Sequence, residues 1–363
     1  MKRKWRGRIQ TALAILAIAL IILSFLPLWQ TDRWWVRQWD YPRLQVAGLL
    51  LIVGAAYLLI DRARSGRTWA LILGCLAALV WQSTHFIAYL PPYPKQVESA
   101  KSCAAGRQLA LLNANVLMTN HDYGPLLSLI AKQDPDLILL LETDRGWERA
   151  IAGLAQRYPY RLAEAVPNTY GMILLSRLPL KGEIDHLLQP GVPSVRSRVQ
   201  LADGEWIDFH GLHPEPPWPG DDSGERDAEL LTVGRTVRDA GRAAIVMGDL
   251  NDVAWSRTSR LFKKVAGMGD PRVGRGFYPT FNANYPLLRW PLDHLFVSPH
   301  FELLSIDLLG DIGSDHLPIA FRLCLKSPAG ERKVAPAAPA PAEAEAAEEL
   351  REGRAERRQE NAQ

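Results

Sequence analysis

Three stretches of this chain carry no charge over lengths that cover a bilayer. They are residues 9–29, 44–60 and 68–94, the last with its apolar heart at 69–90. A helix needs about 20 apolar residues to cross the hydrocarbon core, with roughly 17–25 tolerated. All three qualify, so residues 1–94 read as a membrane anchor with spans at about 9–29, 44–60 and 69–90. Lys2, Arg3, Lys4, Arg6 and Arg8 resemble the basic region of a signal peptide. The first run is long for that role, no small-x-small cleavage site follows it, and two more runs come next. Basic residues are concentrated at the N-terminus and in the 61–67 loop (Arg62, Arg64, Arg67), against Arg33, Arg37 and Arg43 in the 30–43 loop. That asymmetry places the N-terminus in the cytoplasm and everything after residue 94 outside, as a periplasmic or extracellular domain. Trp34, Trp35, Trp39 and Tyr41 suit a membrane–water interface. Gln82 and His85 read as helix–helix contacts or interfacial residues. With no Asp or Glu inside the runs, a transport path is a poor reading.

The net charge of +3 hides this polarity. Residues 1–103 carry a net +9, residues 104–326 a net −4, and residues 327–363 a net −2. The basicity belongs to the anchor and says little about a substrate, and the acidic balance of residues 104–326 counts modestly against nucleic acid, whose binding rests on phosphate neutralisation. A local basic face at Arg257, Arg260, Lys263 and Lys264 stays open. Of three cysteines, Cys75 lies in the third span. Cys103 and Cys324 flank the soluble part, as a disulfide or as two unrelated buried thiols. Residues 95–106 read as a linker. Residues 327–363 collapse to Ala, Pro, Glu and Arg, with no apolar stripe in view, and read as a disordered, solvated tail, with a partner-binding helix over 343–358 as the alternative.

Residues 107–326 form the one substantial folded domain on this reading. Strands are predicted at 107–116, 136–141, 171–175, 195–201, 206–212, 243–247, 294–297 and 319–325, and helices at 125–132 and 225–240. Many strands with few, widely spaced helices imply two packed sheets with helices outside, an α/β (α+β) architecture.

The chemistry lies at strand ends. Asn113-Ala-Asn115, Glu142, Leu212-His213, Gly248-Asp249-Leu250-Asn251, Leu292-Asp293-His294 and Gly313-Ser314-Asp315-His316 each adjoin an apolar strand. Asp249 and Asn251, two apart, share a side of extended chain. The set supplies carboxylates, amides and imidazoles without a nucleophilic Ser or Cys motif. That inventory fits water attack assisted by a hard cation, Mg²⁺ with Mn²⁺ as substitute, which needs only one or two carboxylates plus water and substrate oxygens.

In order along residues 107–323, LLNANV, PDLILLLE, YGMILLSRLPL, GLHPE, IVMGDLND, PLDHLFVS and GSDHLPI resemble the endonuclease/exonuclease/phosphatase superfamily. It includes pancreatic deoxyribonuclease, apurinic endonucleases, neutral sphingomyelinases and inositol polyphosphate phosphatases. The resemblance implies a four-layer α-β-β-α sandwich, preceded here by the three transmembrane helices read from the apolar runs. It implies that Glu142 is the principal Mg²⁺ ligand, with Asn115 beside it and Asp315 as a further metal-side carboxylate. Asp249 would position water or the leaving group, and Asn251 would hold a phosphoryl oxygen. His316 would be the catalytic imidazole, Asp293 its orienting carboxylate, and His213 a second imidazole on the phosphate. Leu117 stands where apurinic endonucleases carry a carboxylate, which weakens that subfamily reading. Asn113, His210, His294 and His300 read as structural, and Arg177 as a substrate contact or a fold residue. The function expected is hydrolysis of a phosphodiester, in nucleic acid or a phospholipid head group, by a membrane-anchored enzyme. The alternative is a catalytically inactive, membrane-tethered binding module on the same fold. The bilayer and the phosphodiester are the partners implied, and no feature calls for a protein partner.

Overall fold

The computed structural model describes residues 2–217, 219, 222–331 and 338–360. The chain divides into two compact units, Met1–Tyr93 with Pro217–Asp222, and Pro94–Pro216 with Ser223–Gln363.

The first unit holds α1 (Lys2–Phe25), a short α2 (Trp34–Arg37), α3 (Arg43–Ile60) and α4 (Gly66–Phe86). Three stretches, Lys4–Leu28, Arg43–Ile60 and Gly66–Tyr89, are long and apolar enough to cross a membrane. Their outer face is as apolar as their core. Small residues such as Ala17 and Ala78 are buried, whereas Ile18, Ile22, Leu51, Ile52, Leu73 and Val80 point outward. Such an apolar exterior suits lipid rather than water. A polar ladder ties three segments together inside. Arg43 pairs with Asp40 and donates to Gln82 Oε1 at 2.9 Å, and Gln82 Nε2 donates to Ser24 Oγ at 3.1 Å. Gln82 is thus a helix–helix contact.

The second unit runs β1 (Gln108–Asn115), α5 (Gly124–Gln133), β2 (Leu137–Leu141), α6 (Arg145–Ala150), β3 (Tyr160–Glu164), β4 (Met172–Ser176), β5 (Leu180–Asp185), β6 (Ser194–Gln200), β7 (Trp206–Leu212), α7 (Gly224–Ala240), β8 (Ala244–Asp249), α8 (Arg257–Ala266), β9 (Asp293–Val297), β10 (Phe301–Leu308), β11 (Ile319–Leu325) and α9 (Ala340–Glu360). One sheet has the order β10-β11-β1-β2-β4-β3 and the other β5-β6-β7-β8-β9. The period of two along each strand sorts the side chains. Leu109, Leu111, Leu137, Leu139, Met172 and Leu174 meet Ile207, Phe209, Ile245, Met247, Leu295 and Val297 between the sheets. The alternate residues Leu112, Ala114, Ile138, Leu140 and Ile173 lie under Leu126 and Ile130 of α5 and Trp147 of α6. Ala244, Val246 and Phe296 lie under Leu230 and Val233 of α7 and Phe262 of α8. These are the four layers of an α-β-β-α sandwich. Cys103 and Cys324 form a disulfide, Cα–Cα 5.6 Å apart, which joins the start of the unit to its last strand.

The expectation of a disordered tail is corrected for its described part. Residues 340–360 are helical and pack on α7 and α8. The stripe that does this is built of small residues, Ala338, Ala342 and Ala346 with Leu350, facing Ala228, Leu231, Leu261 and Val265. Alanine buries little area per residue but lets two helices approach closely. At Gly353 any Cβ would stand 2.5 Å from the Gly224 carbonyl. Arg257 pairs with Glu345 and Glu349 of α9, both at 2.6 Å. The basic face left open on α8 is therefore partly neutralised from within the chain. Residues 332–337 and 361–363 of the tail lie outside the described residues.

Candidate active site

Strand parity builds the site. In β1 the inner row 109, 111 continues to Asn113 and Asn115. In β7 the row 207, 209 continues to His213, in β8 the row 245, 247 reaches Asp249, and in β9 the row 297, 295 reaches Asp293. Each row turns from apolar to polar at the same end of the sandwich. The pairings explain why. β1 and β2 are parallel, β7 and β8 are parallel, and β11 and β9 run antiparallel to their neighbours β1 and β8. The C-terminal ends of four strands and the N-terminal ends of two therefore share one rim.

Hydrogen bonds then cross between the sheets. Asn113 Nδ2 donates to Asp293 Oδ1 at 2.8 Å, and Asn115 Nδ2 donates to Asp249 Oδ2 at 3.3 Å. Asn115 Nδ2 also lies 2.8 Å from Glu142 Oε1. Glu142 falls on the outer parity of β2, and its φ of +58° departs from the strand before the side chain returns to the rim. Asn251 has φ +48° and donates through Nδ2 to Pro214 O at 2.9 Å, while its N–H donates to Asp249 Oδ1 at 2.9 Å. Gly248 (φ +149°) is required before Asp249, because a Cβ there would sit 1.9 Å from Leu212 O. That close approach sets Asp249 beside His213, whose Nε2 is 3.9 Å from Asp249 Oδ2.

His316 closes the arrangement. Its Nδ1 lies 2.8 Å from Asp293 Oδ2 and its Nε2 3.4 Å from Asp249 Oδ2. Ligand-capable atoms of Asp249, Asp293 and His316 all fall within 4.8 Å of one another. Burial disfavours a charged imidazole, but the Asp249 and Asp293 carboxylates outweigh it and raise His316 to about 10. Burial would likewise raise Asp293, yet the His316 charge and hydrogen bonds from His316 and Thr280 hold it below its ordinary value. Burial raises Asp249 and Glu142 and lowers His213. His316 thus enters the site as an imidazolium, and His213 as a neutral ring. Asp315 bears electrostatically on both Glu142 and His316, and its Oδ1 is buried with no hydrogen-bond partner among the described residues.

All eight predicted site residues belong to this rim or its flanking loops. Asn113, read as structural, holds Asp293. His294 is structural as expected. Arg272 Nη2 donates to its Nδ1 at 2.7 Å, which makes Nε2 the protonated nitrogen, and Nε2 donates to Asp252 O at 2.8 Å. Arg177 serves the fold, bonded to Tyr158 and paired with Asp134. Sequence reasoning missed Phe281, whose ring lies 4.8 Å from that of His316, and Tyr170, 5.5 Å from that of His213. It also missed Arg226, buried, which donates to Asn251 O at 2.7 Å and supports the strained loop from behind. Tyr170 opens the segment YGMILLSRLPL, whose signal is that of a strand, whereas Phe281 and Arg226 lie outside the motifs that carry the resemblance.

The sequence model of the endonuclease/exonuclease/phosphatase family matches residues 112–316. The chain belongs to that family. Its members are in general phosphoester-hydrolysing enzymes and typically use divalent metals. Among solved structures, D. rerio TDP2 complexed with single strand DNA product is 18% identical, with a TM-score of 0.50 over 60% of this chain and 98% of its own. The human Nocturnin catalytic domain with bound sulfate anion is 16% identical, with a TM-score of 0.50 over 60% of this chain and 94% of its own. At these identities the likeness is one of fold. No curated protein is similar enough in sequence to count as a relative.

The donor set fits a hard cation. Glu142, Asp249, Asp293 and Asp315 place four carboxylates against two imidazoles, only one of them charged. The buried Asp315 Oδ1 supplies an acceptor still to be satisfied. With oxygen donors and no thiol in reach, a hard divalent cation suits the set better than a soft one.

Proposed function

We propose that this chain is a divalent-metal-dependent phosphodiesterase held at a membrane by its three apolar helices. The observation that carries the reading is the seam of carboxylates and imidazoles in which Asp249 touches both rings. Glu142, Asp315 and Asn115 would hold the metal, which when bound neutralises charge on the phosphoryl group and makes water easier to deprotonate. Asp249, its carboxyl raised by burial, is placed to take the proton of an attacking water. A new P–O bond forms from that water as the bond to the leaving oxygen breaks. His316, protonated at neutral pH and oriented by Asp293, returns a proton to the leaving oxygen. Asn251, fixed by Pro214, and the neutral His213 contact the remaining phosphoryl oxygens and fix the geometry of attack.

The Lys/Arg asymmetry supports a cytoplasmic N-terminus and a catalytic unit outside. The Cys103–Cys324 disulfide supports the same side, since such bonds persist in oxidising compartments. Purified full-length chain with Mg²⁺ should hydrolyse bis(p-nitrophenyl) phosphate, and Asn251→Ala or His316→Ala should abolish the activity. Undiminished hydrolysis in EDTA would remove the metal from the mechanism. Protease added to intact spheroplasts should digest the catalytic unit, and full protection would invert the orientation.

A further inference from the structure

Large apolar side chains are exposed in two places only among the described residues, apart from Tyr160. One is the set of N-terminal helices and their connections. The other is the short tip at residues 285–288, where Tyr285 is 61% exposed, Leu287 87% and Leu288 49%. Exposing two leucines and a tyrosine side by side is unusual for a water-facing loop.

The tip is held firmly. Tyr285 N donates to Asn282 O at 3.1 Å and Leu288 N to Tyr285 O at 2.8 Å, which closes a tight turn. Below it, Phe281 pairs with both Trp290 and His316, and Ala283 N donates to Asp315 O at 2.6 Å. The base of the tip is therefore built on Asp315 and His316. The Phe281 ring, 4.8 Å from the His316 ring, links the apolar turn directly to the catalytic imidazole.

We infer that residues 285–288 dock on a lipid bilayer next to the active site, so that the phosphodiester turned over is carried by a membrane lipid. This rests on the hydrolase reading above and names its substrate class. Two further observations favour a bilayer over a protein as the occupant. The other large apolar exposures, Tyr160 aside, belong to the unit that holds the candidate spans. The tether is also short. Tyr89 ends the third candidate span, and Gln96 is already bound into the catalytic unit, its Oε1 accepting from Asp270 N at 3.1 Å. The seven steps from Tyr89 to Gln96 reach at most about 25 Å when extended. If the third helix spans, the catalytic unit works beside a lipid surface whatever else it meets.

The test uses the full chain with Leu287→Cys in a Cys75→Ala background, labelled with nitrobenzoxadiazole. It is reconstituted into vesicles of phosphatidylethanolamine and phosphatidylglycerol that carry nitroxide-labelled lipid. A label at Tyr160→Cys serves as the water-facing control. Residue 287 should be quenched and blue-shifted and residue 160 should not, and adding Leu288→Asp should remove the quenching. The same Leu288→Asp change should lower release of lipid phosphate from vesicles, relative to hydrolysis of soluble bis(p-nitrophenyl) phosphate. The expected drop is about tenfold or more, the factor that one lost leucine burial gives. Quenching at 287 no greater than at 160 would overturn the inference and turn attention to a protein or a second copy of the chain. If the soluble diester were still cleaved, the hydrolase reading would survive that result. Quenching without cleavage of either substrate would instead overturn the hydrolase reading and leave the docking surface standing.

Discussion

Glu229 offers a test of the packing that needs no substrate. It lies on α7 with its side chain 1% exposed, and its Oε1 accepts from Ser194 Oγ of β6 at 2.8 Å. Burial pushes its carboxyl from 4.5 up to about 7; the Ser194 hydrogen bond opposes this and the charges of Glu215, Glu225 and Asp185 add to it. The folded chain therefore keeps a proton that the unfolded chain releases near 4.5. Such a group stabilises the fold fully below pH 4.5, and the contribution is lost as pH rises to about 7. The gap between those two values is worth about 3 kcal/mol. Within the window the stability should fall with a limiting slope of about 1.4 kcal/mol per pH unit from this group. Glu229→Gln preserves shape and an acceptor for Ser194 but cannot ionise. Urea unfolding of residues 94–363 at pH 4 to 8 would compare the two proteins. The variant should match the parent at pH 4 and exceed it by about 3 kcal/mol at pH 8. A difference that stays constant across the range would refute a neutral buried carboxyl at this position.

Three further outcomes are expected. Asp293→Asn offers one carboxamide oxygen where Asn113 and His316 each need an acceptor, so kcat should fall by roughly 10²–10⁴; an unchanged unfolding curve alongside it would separate lost chemistry from lost fold. Cys324→Ser opens a loop spanning 221 residues and should cost roughly 2–5 kcal/mol of stability in non-reducing buffer, with the difference vanishing when both proteins are measured in dithiothreitol. Gly353→Val drives a side chain into the Gly224 carbonyl and should lower stability by about 1–3 kcal/mol in denaturant unfolding, whereas the same change at Gly330, where a Cβ meets nothing within 4 Å, should leave it nearly unchanged.

The strands that sequence reading found and missed divide by position in the sheets. β1, β2, β4, β6, β7, β8 and β11 are all interior, with a neighbour on each side, and each was predicted. β3, β5 and β10 were missed, and all three are edge strands. An edge strand has one solvated side and carries polar residues that blunt further pairing, so its alternation is faint. The sequence LKGEID of β5 shows this, with its middle residues exposed. Only β9 is an edge strand that was found, and its five residues are all buried. The tail failed for a related reason. A search for large apolar residues overlooks a stripe of alanines whose contribution is close approach rather than area. The site fared better because its residue types are chemically distinctive, whereas Arg226, Tyr170 and Phe281 act on it through positions that only the folded chain brings near.

The same parity argument explains why so sparse a set of motifs can define a site. A residue on the inner row of a strand faces the opposite sheet, so a polar residue there is costly unless something across the gap satisfies it. Asn113, Asn115, Asp249 and Asp293 sit on such rows at the rim, and the two amides donate to the two carboxylates across the sheets. His213 shares the row, and its Nδ1 is buried with no hydrogen-bond partner among the described residues. Paired amides and carboxylates alone would close a rim neatly. A surplus of carboxylate together with an unsatisfied imidazole nitrogen leaves it open to a cation and an anionic ester. Replacing Asp249 by Asn would lessen that surplus, but it would leave one carboxamide oxygen where Asn115 Nδ2 and the Asn251 N–H each need an acceptor. Both oxygens of Asp249 thus hold neighbouring amides while its charge faces His316, so the same carboxylate serves the cohesion of the rim and its chemistry.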